Sequence, residues 1–206
     1  MINLNFTLLI VIITSLVSIT AFQNREVFDK LKFNAWMISH QREWIRFVTN
    51  GFLHVDTIHL IINMYVLYSF GSIVEDAFTV LFNNNGRIIY LALYLLAIPA
   101  SSLFSYLKHK NNDDYNAVGA SGAVSAIVFS SIIFIPKGGI GLLFLPIPIP
   151  SYIFGLLYLA YSAIMAKRAN DNIGHDAHFW GAVFGILFTF AVKPQLFEYF
   201  LKEIIR

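Results

Sequence analysis

Long apolar runs separated by short polar segments dominate the pattern of this chain. Six of these runs approach the roughly 20 residues that an α-helix needs to cross a bilayer core. The predicted spans cover about 4–22, 57–74, 86–107, 118–136, 150–166 and 177–193. They leave little chain for loops, so we expect a single all-α membrane domain over residues 1–206, built as a bundle of six transmembrane helices.

The segments between the spans carry helix breakers and interfacial residues. The longest connection, 23–56, holds five of the 14 Lys and Arg residues together with Trp36 and Trp44, a mixture that favours short amphipathic helices at the interface. Glycines and three prolines interrupt the chain over 137–150, because proline blocks helix continuation. A signal peptide is the competing interpretation of the first span, but it would begin with positive charge, and the first Lys or Arg is Arg25.

The composition agrees with a membrane protein and excludes several other classes. Hydrophobic residues make up 57% of the chain and charged residues 13%, against roughly 45–50% and 25% in an average globular protein. A net charge of +2 gives no basic stripe for nucleic acid, and the absence of cysteine excludes thiol nucleophiles, disulfides and cysteine-held metals. Lys and Arg do not decide the orientation: with a cytoplasmic N-terminus, the inside segments hold five and the outside segments nine.

Polar side chains inside the predicted spans are expensive, so each marks a candidate functional site. His59 and Asn63 lie on span two, Ser121 on span four and His178 on span six, each within about two turns of its N-terminal end. Spans two, four and six run in the same direction, so the four residues lie at similar depth below one membrane face. His59 and Asn63 are four residues apart and therefore share a helix face.

Small residues flank the serine and the last histidine and favour close helix packing. They are Gly119 and Gly122 on span four, and Gly181 and Gly185, in a G-x-x-x-G spacing, on span six. Such packing lets a short serine side chain approach an imidazole on another helix.

These residue types suggest a serine hydrolase. A serine hydroxyl needs an adjacent base, and histidine titrates near neutrality, so Ser121 is the candidate nucleophile and His178 the candidate base. His59, Asn63 and the Ser121 backbone N–H are candidate donors to the oxyanion. Asp176 lies two residues from His178 and off its helical face, which favours a dyad over a triad.

The same residues resemble the motifs of the rhomboid intramembrane serine proteases. The family pattern is H-x-x-x-N on span two, G-x-S-G on span four and A-H-x-x-G-x-x-x-G on span six. Here the three stretches are 59–63, 119–122 and 177–185, in family order and on spans of matching parity. The resemblance covers about 46–185 and is specific because the three motifs occur together.

The resemblance implies the same catalytic and oxyanion roles and adds structural ones. Arg46 and His54 then hold structural positions in the first loop, and Glu75 hydrogen-bonds where spans two and four meet. The glycines of span six hold it against span four. The sequence departs from the family at two positions. Ile45 stands where the family has a tryptophan, and Ser125 stands where many members have an aromatic residue that stacks on the catalytic histidine.

The resemblance further implies an enzyme without cofactor or metal that cleaves single-span membrane proteins within the lipid bilayer. Its site would open to the extracytoplasmic side of what we expect to be a bacterial inner membrane. One alternative is a non-catalytic relative that binds transmembrane helices, and another is a transporter, although repeated halves are not seen. A metal site is a further alternative, but the sequence has no H-E-x-x-H motif. Its candidate ligands would be His54, His59, His175, Asp176 and His178.

Overall fold

The computed structural model describes residues 5–142, 145–168 and 174–206, most of which are helical. The helices are α1 (Phe6–Gln23), α2 (Arg25–Leu31), α3 (Ala35–His40), α4 (Arg46–Thr49), α5 (Thr57–Phe82), α6 (Gly86–His109), α7 (Ser121–Phe134), α8 (Ser151–Arg168), α9 (His175–Val192) and α10 (Gln195–Ile205). The strands are β1 (Phe33–Asn34), β2 (Asn116–Ala117), β3 (Gly139–Leu142) and β4 (Leu145–Pro150). Single 3₁₀ turns lie at Asn50–Phe52 and Asn83–Asn85.

A helix occupies each of the six predicted spans, but only part of the six-span count is supported. Among the described helices, α1, α5 and α6 are long and apolar enough to cross a membrane. α9 and α10 pass the same test only as a pair, which bends by 115°. α7 is apolar but has 14 residues, fewer than the roughly 20 of an ordinary span. The chain is therefore an integral membrane protein with three or four candidate spans by length and composition.

Two small sheets depart from the expected all-α fold. β1 pairs antiparallel with β2, which ties the first loop to the segment before α7. β3 and β4 form an antiparallel hairpin where the sequence pattern predicted only a break between spans. Proline at every second position of β4 blocks a helix but is tolerated in a two-stranded ribbon.

α7 is the most deeply buried helix of the described bundle. Every residue from Gly122 to Ile133 is buried, and α5, α6 and α9 pack around it. The first half of α7 is rich in glycine, alanine and serine, and such small side chains let neighbouring backbones approach closely. The N-terminal end of α7 is therefore held from several sides at once.

Glu75 fixes the start of α1 to α5, which corrects its expected role between spans two and four. The side chain is 1% exposed, and its carboxylate accepts hydrogen bonds of 2.8 Å from Phe6 N, Thr7 N and Thr7 Oγ1. The Tyr90 hydroxyl of α6 lies 2.9 Å from Thr7 Oγ1. A helix start offers backbone N–H groups without intrahelical acceptors, and these attract a buried carboxylate. Glu75 thus joins the first and second predicted spans.

Arg46 organises the first loop. The short helices α2, α3 and α4 occupy the connection that was predicted to hold interfacial helices. The Arg46 side chain is buried, and its Nη1 donates 2.8 Å hydrogen bonds to the carbonyls of Asp29 and Lys32, while Nε pairs with Glu43. One guanidinium therefore ties α4 to two carbonyls at the end of α2 and to the Glu43 carboxylate.

The aromatic contact of this loop comes from Trp44 instead of position 45. Ile45 is 65% exposed, whereas the Trp44 ring stacks on Phe47 with centroids 6.2 Å apart. Trp44 also contacts Tyr106 of α6. The departure from the family at Ile45 thus leaves the loop with an aromatic anchor one residue earlier.

Candidate active site

A glycine turn sets Ser121 as the first residue of α7. Gly119 has φ of +138°, a conformation that side chains with a Cβ rarely adopt. Its N–H donates to the Asn50 carbonyl over 3.1 Å, so the first loop holds the turn in place. Because Ser121 begins the helix, its backbone N–H has no intrahelical acceptor and remains available to a ligand.

His59 reaches this turn from α5. A Cβ built on Gly119 would lie 3.0 Å from His59 Cε1, 3.5 Å from His59 Nε2 and 3.6 Å from Ser121 Oγ. The two side chains therefore face one small space that only a glycine leaves open. Asp56 caps α5 by accepting from His59 N over 2.7 Å. Asn63, one turn further on, donates to the His59 carbonyl over 2.9 Å, and its amide has a second N–H to offer.

α9 carries His178 to the same end of α7. Two glycines of α9 lie directly on the α7 backbone, because a Cβ on either would approach an α7 carbonyl oxygen within 2.2 Å. The contacting pairs are Gly181 with Gly122 and Gly185 with Ala126. The Ala177 carbonyl lies 3.3 Å from a Cβ built on Gly122. The immediate neighbours of Ser121 and His178 are thus in contact.

A tyrosine of α8 stacks on His178, a contact that the sequence pattern did not predict. The Tyr158 ring lies 6.3 Å from the His178 ring at an interplanar angle of 28°. Its hydroxyl is 2.7 Å from Ser125 Oγ on α7. Ser125 is the position where many family members have the stacking aromatic residue. Here the aromatic ring comes from a different helix, 33 residues away, and Ser125 holds its hydroxyl.

Asp176 points towards α6. Its Oδ2 accepts a 2.5 Å hydrogen bond from Ser105 Oγ, and its Oδ1 accepts from Ala177 N. Among the described residues, the rings of Tyr158 and His175 lie near His178, at 6.3 and 6.0 Å between centroids. That Asp176 does not orient His178 stays a prediction.

His54 supports the site from the first loop. It is fully buried, with Nδ1 2.9 Å from Ser18 Oγ of α1, and its ring lies edge-on to His59 at 5.0 Å between centroids. Burial, helped by the neighbouring His59, lowers the pKa of His54 to about 3. His54 is therefore neutral near pH 7.

The structure brings some of the candidates together and separates others. His59, Asn63 and Ser121 gather at one end of the bundle, with His178 on the adjoining helix. Glu75 lies about 24 Å further along α5, by the rise of an α-helix.

Cavities of about 300 and 140 Å³ lie elsewhere, in the first loop beside Arg46 and near Ser131. A water-filled cavity at Ser121 stays a prediction.

A model of the Rhomboid domain matches residues 41–195. The matched region contains all three sequence motifs and about three quarters of the chain.

Named relatives share the same region. The mitochondrial presenilin-associated rhomboid-like protein of Mus musculus is 30% identical over 183 residues, covering 77% of this chain and 45% of its own. The mitochondrial RHOMBOID-like protein 12 of Arabidopsis thaliana is 27% identical and covers 74% and 47%. Rhomboid protease AarA of Providencia stuartii is 27% identical and covers 77% and 59%. This chain thus aligns with about half the length of these relatives. By its match to the Rhomboid domain, the chain belongs to the rhomboid family.

Proposed function

We propose that this chain is an intramembrane serine endopeptidase. The observation that carries the proposal is the convergence at Gly119, where Ser121 Oγ and His59 Nε2 face one space. The direct backbone contact of α7 with α9, the helix of His178, supports it. Membership of a family that includes a protein named as a protease supports it further.

The proposed chemistry uses a Ser121–His178 dyad. The Ser121 oxygen attacks the carbonyl carbon of the scissile peptide bond while His178 takes the hydroxyl proton. The tetrahedral intermediate collapses, the C–N bond breaks, and His178 returns the proton to the leaving amine. A water molecule then hydrolyses the acyl-enzyme with His178 again acting as base, which regenerates the serine.

The developing oxyanion needs donors arranged before the reaction. Three groups of this chain can supply them, namely the Ser121 N–H, His59 Nε2 and the free N–H of the Asn63 amide. Each oxyanion donor is typically worth about 10²–10³ in kcat.

The proposed substrates are membrane proteins with one transmembrane segment. A substrate helix must expose its backbone to be cut, which is costly in lipid and cheaper where helix breakers occur. The proposal includes six membrane crossings and a site open to the extracytoplasmic side. The expected bacterial inner membrane is not supported, since two of the three relatives described above are mitochondrial.

The test is cleavage of a panel of single-span reporter proteins by the purified chain in liposomes. Wild type is compared with Ser121→Ala and His178→Ala. The matched control is Ser69→Ala, because Ser69 lies on α5 about three turns beyond His59 and is partly exposed. We expect wild type and Ser69→Ala to cut and the other two to lose at least about 10³-fold in rate.

Equal cutting by all four proteins would show that the activity belongs to a contaminant. Binding of a reporter helix without cutting by wild type would favour the non-catalytic alternative. A fluorophosphonate probe gives a second readout, because it should label wild type and leave Ser121→Ala unlabelled.

A further inference from the structure

The helix α10 lies at the end of the bundle opposite to Ser121. Its Tyr199 hydroxyl donates a hydrogen bond of 3.1 Å to the carbonyl of Phe134, the last residue of α7. Ser121 is the first residue of α7, so about 20 Å of helix separates the two ends. α10 therefore belongs to the membrane face opposite the proposed catalytic site.

α10 is too short to cross the membrane, and α9 nearly reaches across it alone. The 11 residues of α10 extend about 16 Å, whereas the 18 residues of α9 extend about 27 Å of a hydrocarbon core of about 30 Å. Pro194 stands between the two helices and does not allow α9 to continue. Because the chain bends there by 115°, α10 runs close to the membrane plane when α9 follows the membrane normal.

Three ridges run along α10, because residues four apart lie on one side of a helix. The first ridge packs on the bundle: Leu196 is buried, and the Phe200 ring lies edge-on to Phe190 of α9 with centroids 6.4 Å apart. The second, the apolar ridge, consists of Phe197, Leu201 and Ile205, which are 54, 41 and 81% exposed. The third, the charged ridge, consists of the exposed Glu198, Lys202 and, just past the helix end, Arg206.

The order of the ridges identifies the partner of the apolar one. Successive residues of a helix are about 100° apart, so the apolar ridge lies between the ridge on the bundle and the charged ridge. It also continues the surface of α9, because the Phe197 ring lies edge-on to the half-buried Phe190 with centroids 5.4 Å apart. The charged ridge carries an exposed ion pair, Lys202 with Glu198 at 2.6 Å. Hydrocarbon beside the protein and water beyond it is the environment of a helix at a bilayer surface.

We propose that α10 is a membrane-surface helix whose apolar ridge is covered by lipid acyl chains, while its charged ridge faces the headgroups and water. α9 then makes the last crossing alone. α10 limits movement of α9 along the membrane normal, because such movement would bring the apolar ridge into water or the charged ridge into lipid. This inference does not depend on the proposed proteolysis.

The test uses single cysteines, because the chain has none of its own. Phe197→Cys, Leu201→Cys and Ile205→Cys sample the apolar ridge, and the neighbouring Glu198→Cys and Lys202→Cys are the matched controls. All five positions are exposed, so the substitutions should leave packing unchanged, which a thermal unfolding scan of each variant checks. The full chain is reconstituted in liposomes and treated with N-ethylmaleimide, which crosses membranes and reaches both faces.

The reagent reacts with the thiolate, and a thiol surrounded by lipid rarely ionises. A thiol pKa higher by one unit lowers the thiolate fraction tenfold near neutral pH. We therefore expect the three apolar-ridge cysteines to react at least about tenfold more slowly than the two controls. In denaturant all five should react at similar rates.

Two reaction patterns would overturn the proposal. Fast reaction at all five positions would place the whole of α10 in water. A rate that changes steadily along the helix, equal for neighbours on the two ridges, would show that α10 enters the membrane as part of a bent span.

A second copy of the chain could also slow the apolar-ridge cysteines, and a lipid probe separates this case. A fluorophore attached to Leu201→Cys in detergent before reconstitution should be quenched by lipids with brominated acyl chains. The same fluorophore on Lys202→Cys should be quenched much less. Slow reaction without quenching, and faster reaction as the protein is diluted with lipid, would assign the apolar ridge to a second copy and refute the proposal.

Discussion

The contact between α7 and α9 makes a sharp prediction about stability. Gly185→Ala places a Cβ 2.2 Å from the Ala126 carbonyl oxygen and 2.7 Å from Ala126 Cα. Both atoms belong to the backbone, so no side chain can rotate away. Restoring ordinary van der Waals distance requires the two helices to separate by about 1 Å. Overpacking a tight contact costs about 1–3 kcal/mol, and a backbone clash belongs at the upper end.

Gly155→Ala on α8 is the matched control. Its Cβ would meet Ile132 Cδ1 at 3.2 Å and Phe129 Cε1 at 3.4 Å, the ends of side chains that can yield by tenths of an ångström. Both glycines are helical, so the gain in helix propensity on replacement by alanine, up to about 1 kcal/mol, cancels in the comparison. The two substitutions should therefore differ by about 1–3 kcal/mol in the free energy of unfolding.

The assay is reversible unfolding of the purified chain in mild detergent, with both variants beside wild type. If Gly185→Ala is as stable as Gly155→Ala, the backbone contact between α7 and α9 does not exist as described. Catalytic activity gives a second measure of the helix displacement, because His178 lies on the same helix, about 10 Å along α9 from Gly185, and would move with it. A shift of about 1 Å in a catalytic group can cost about 10²-fold in rate.

Other parts of the molecule give further expected outcomes. Glu75→Gln should lower stability by about 1–3 kcal/mol, because it weakens three buried hydrogen bonds at the start of α1. The measurement is a thermal unfolding scan of both variants beside wild type, in which the control Asp76→Asn, at an exposed position, should change stability by less than about 0.5 kcal/mol. Tyr158→Phe and Ser125→Ala should each lower kcat about two- to tenfold, as expected for one lost hydrogen bond. Acidification from pH 6.5 towards 4 should destabilise the chain by up to about 1.4 kcal/mol per pH unit through His54. The pKa of His54 is about 3 when folded and about 6.5 when unfolded, so in this window only the unfolded state binds the proton.

Each outcome has a result that contradicts it. Equal stability of the Glu75 and Asp76 variants would show that the Glu75 carboxylate does not stabilise the start of α1. If the double variant of Tyr158 and Ser125 loses kcat by the product of the two single fold-losses, the two residues do not act through one hydrogen bond. A His54→Gln protein with the same acid sensitivity as wild type would assign that sensitivity to other groups.

Much of the helical layout could be predicted because it depends on local chemistry. A bilayer selects apolar runs of a given length, so helices were found at all six predicted spans. Two glycines four residues apart lie on one helix face and predict a close helix contact, because the absence of side chains there lets a neighbouring backbone approach. The motifs around His59, Ser121 and His178 are also local patterns. Each could be read from a few neighbouring residues without knowledge of the remaining chain.

Contacts between residues far apart in the chain could not be predicted, because they depend on how the helices pack. Tyr158 stacks on His178 because α8 has a particular rotation and depth, which its apolar sequence leaves open. Glu75 turned to α1 instead of the fourth span because the free N–H groups of a helix start lay within its reach. The pairing of His54 with His59 likewise depends on how a loop folds over α5. Local residue patterns were enough to tell which segments are helical and which side chains have the chemistry for catalysis. Only packing decided which of them meet, because many arrangements of the same helices bury the same apolar faces.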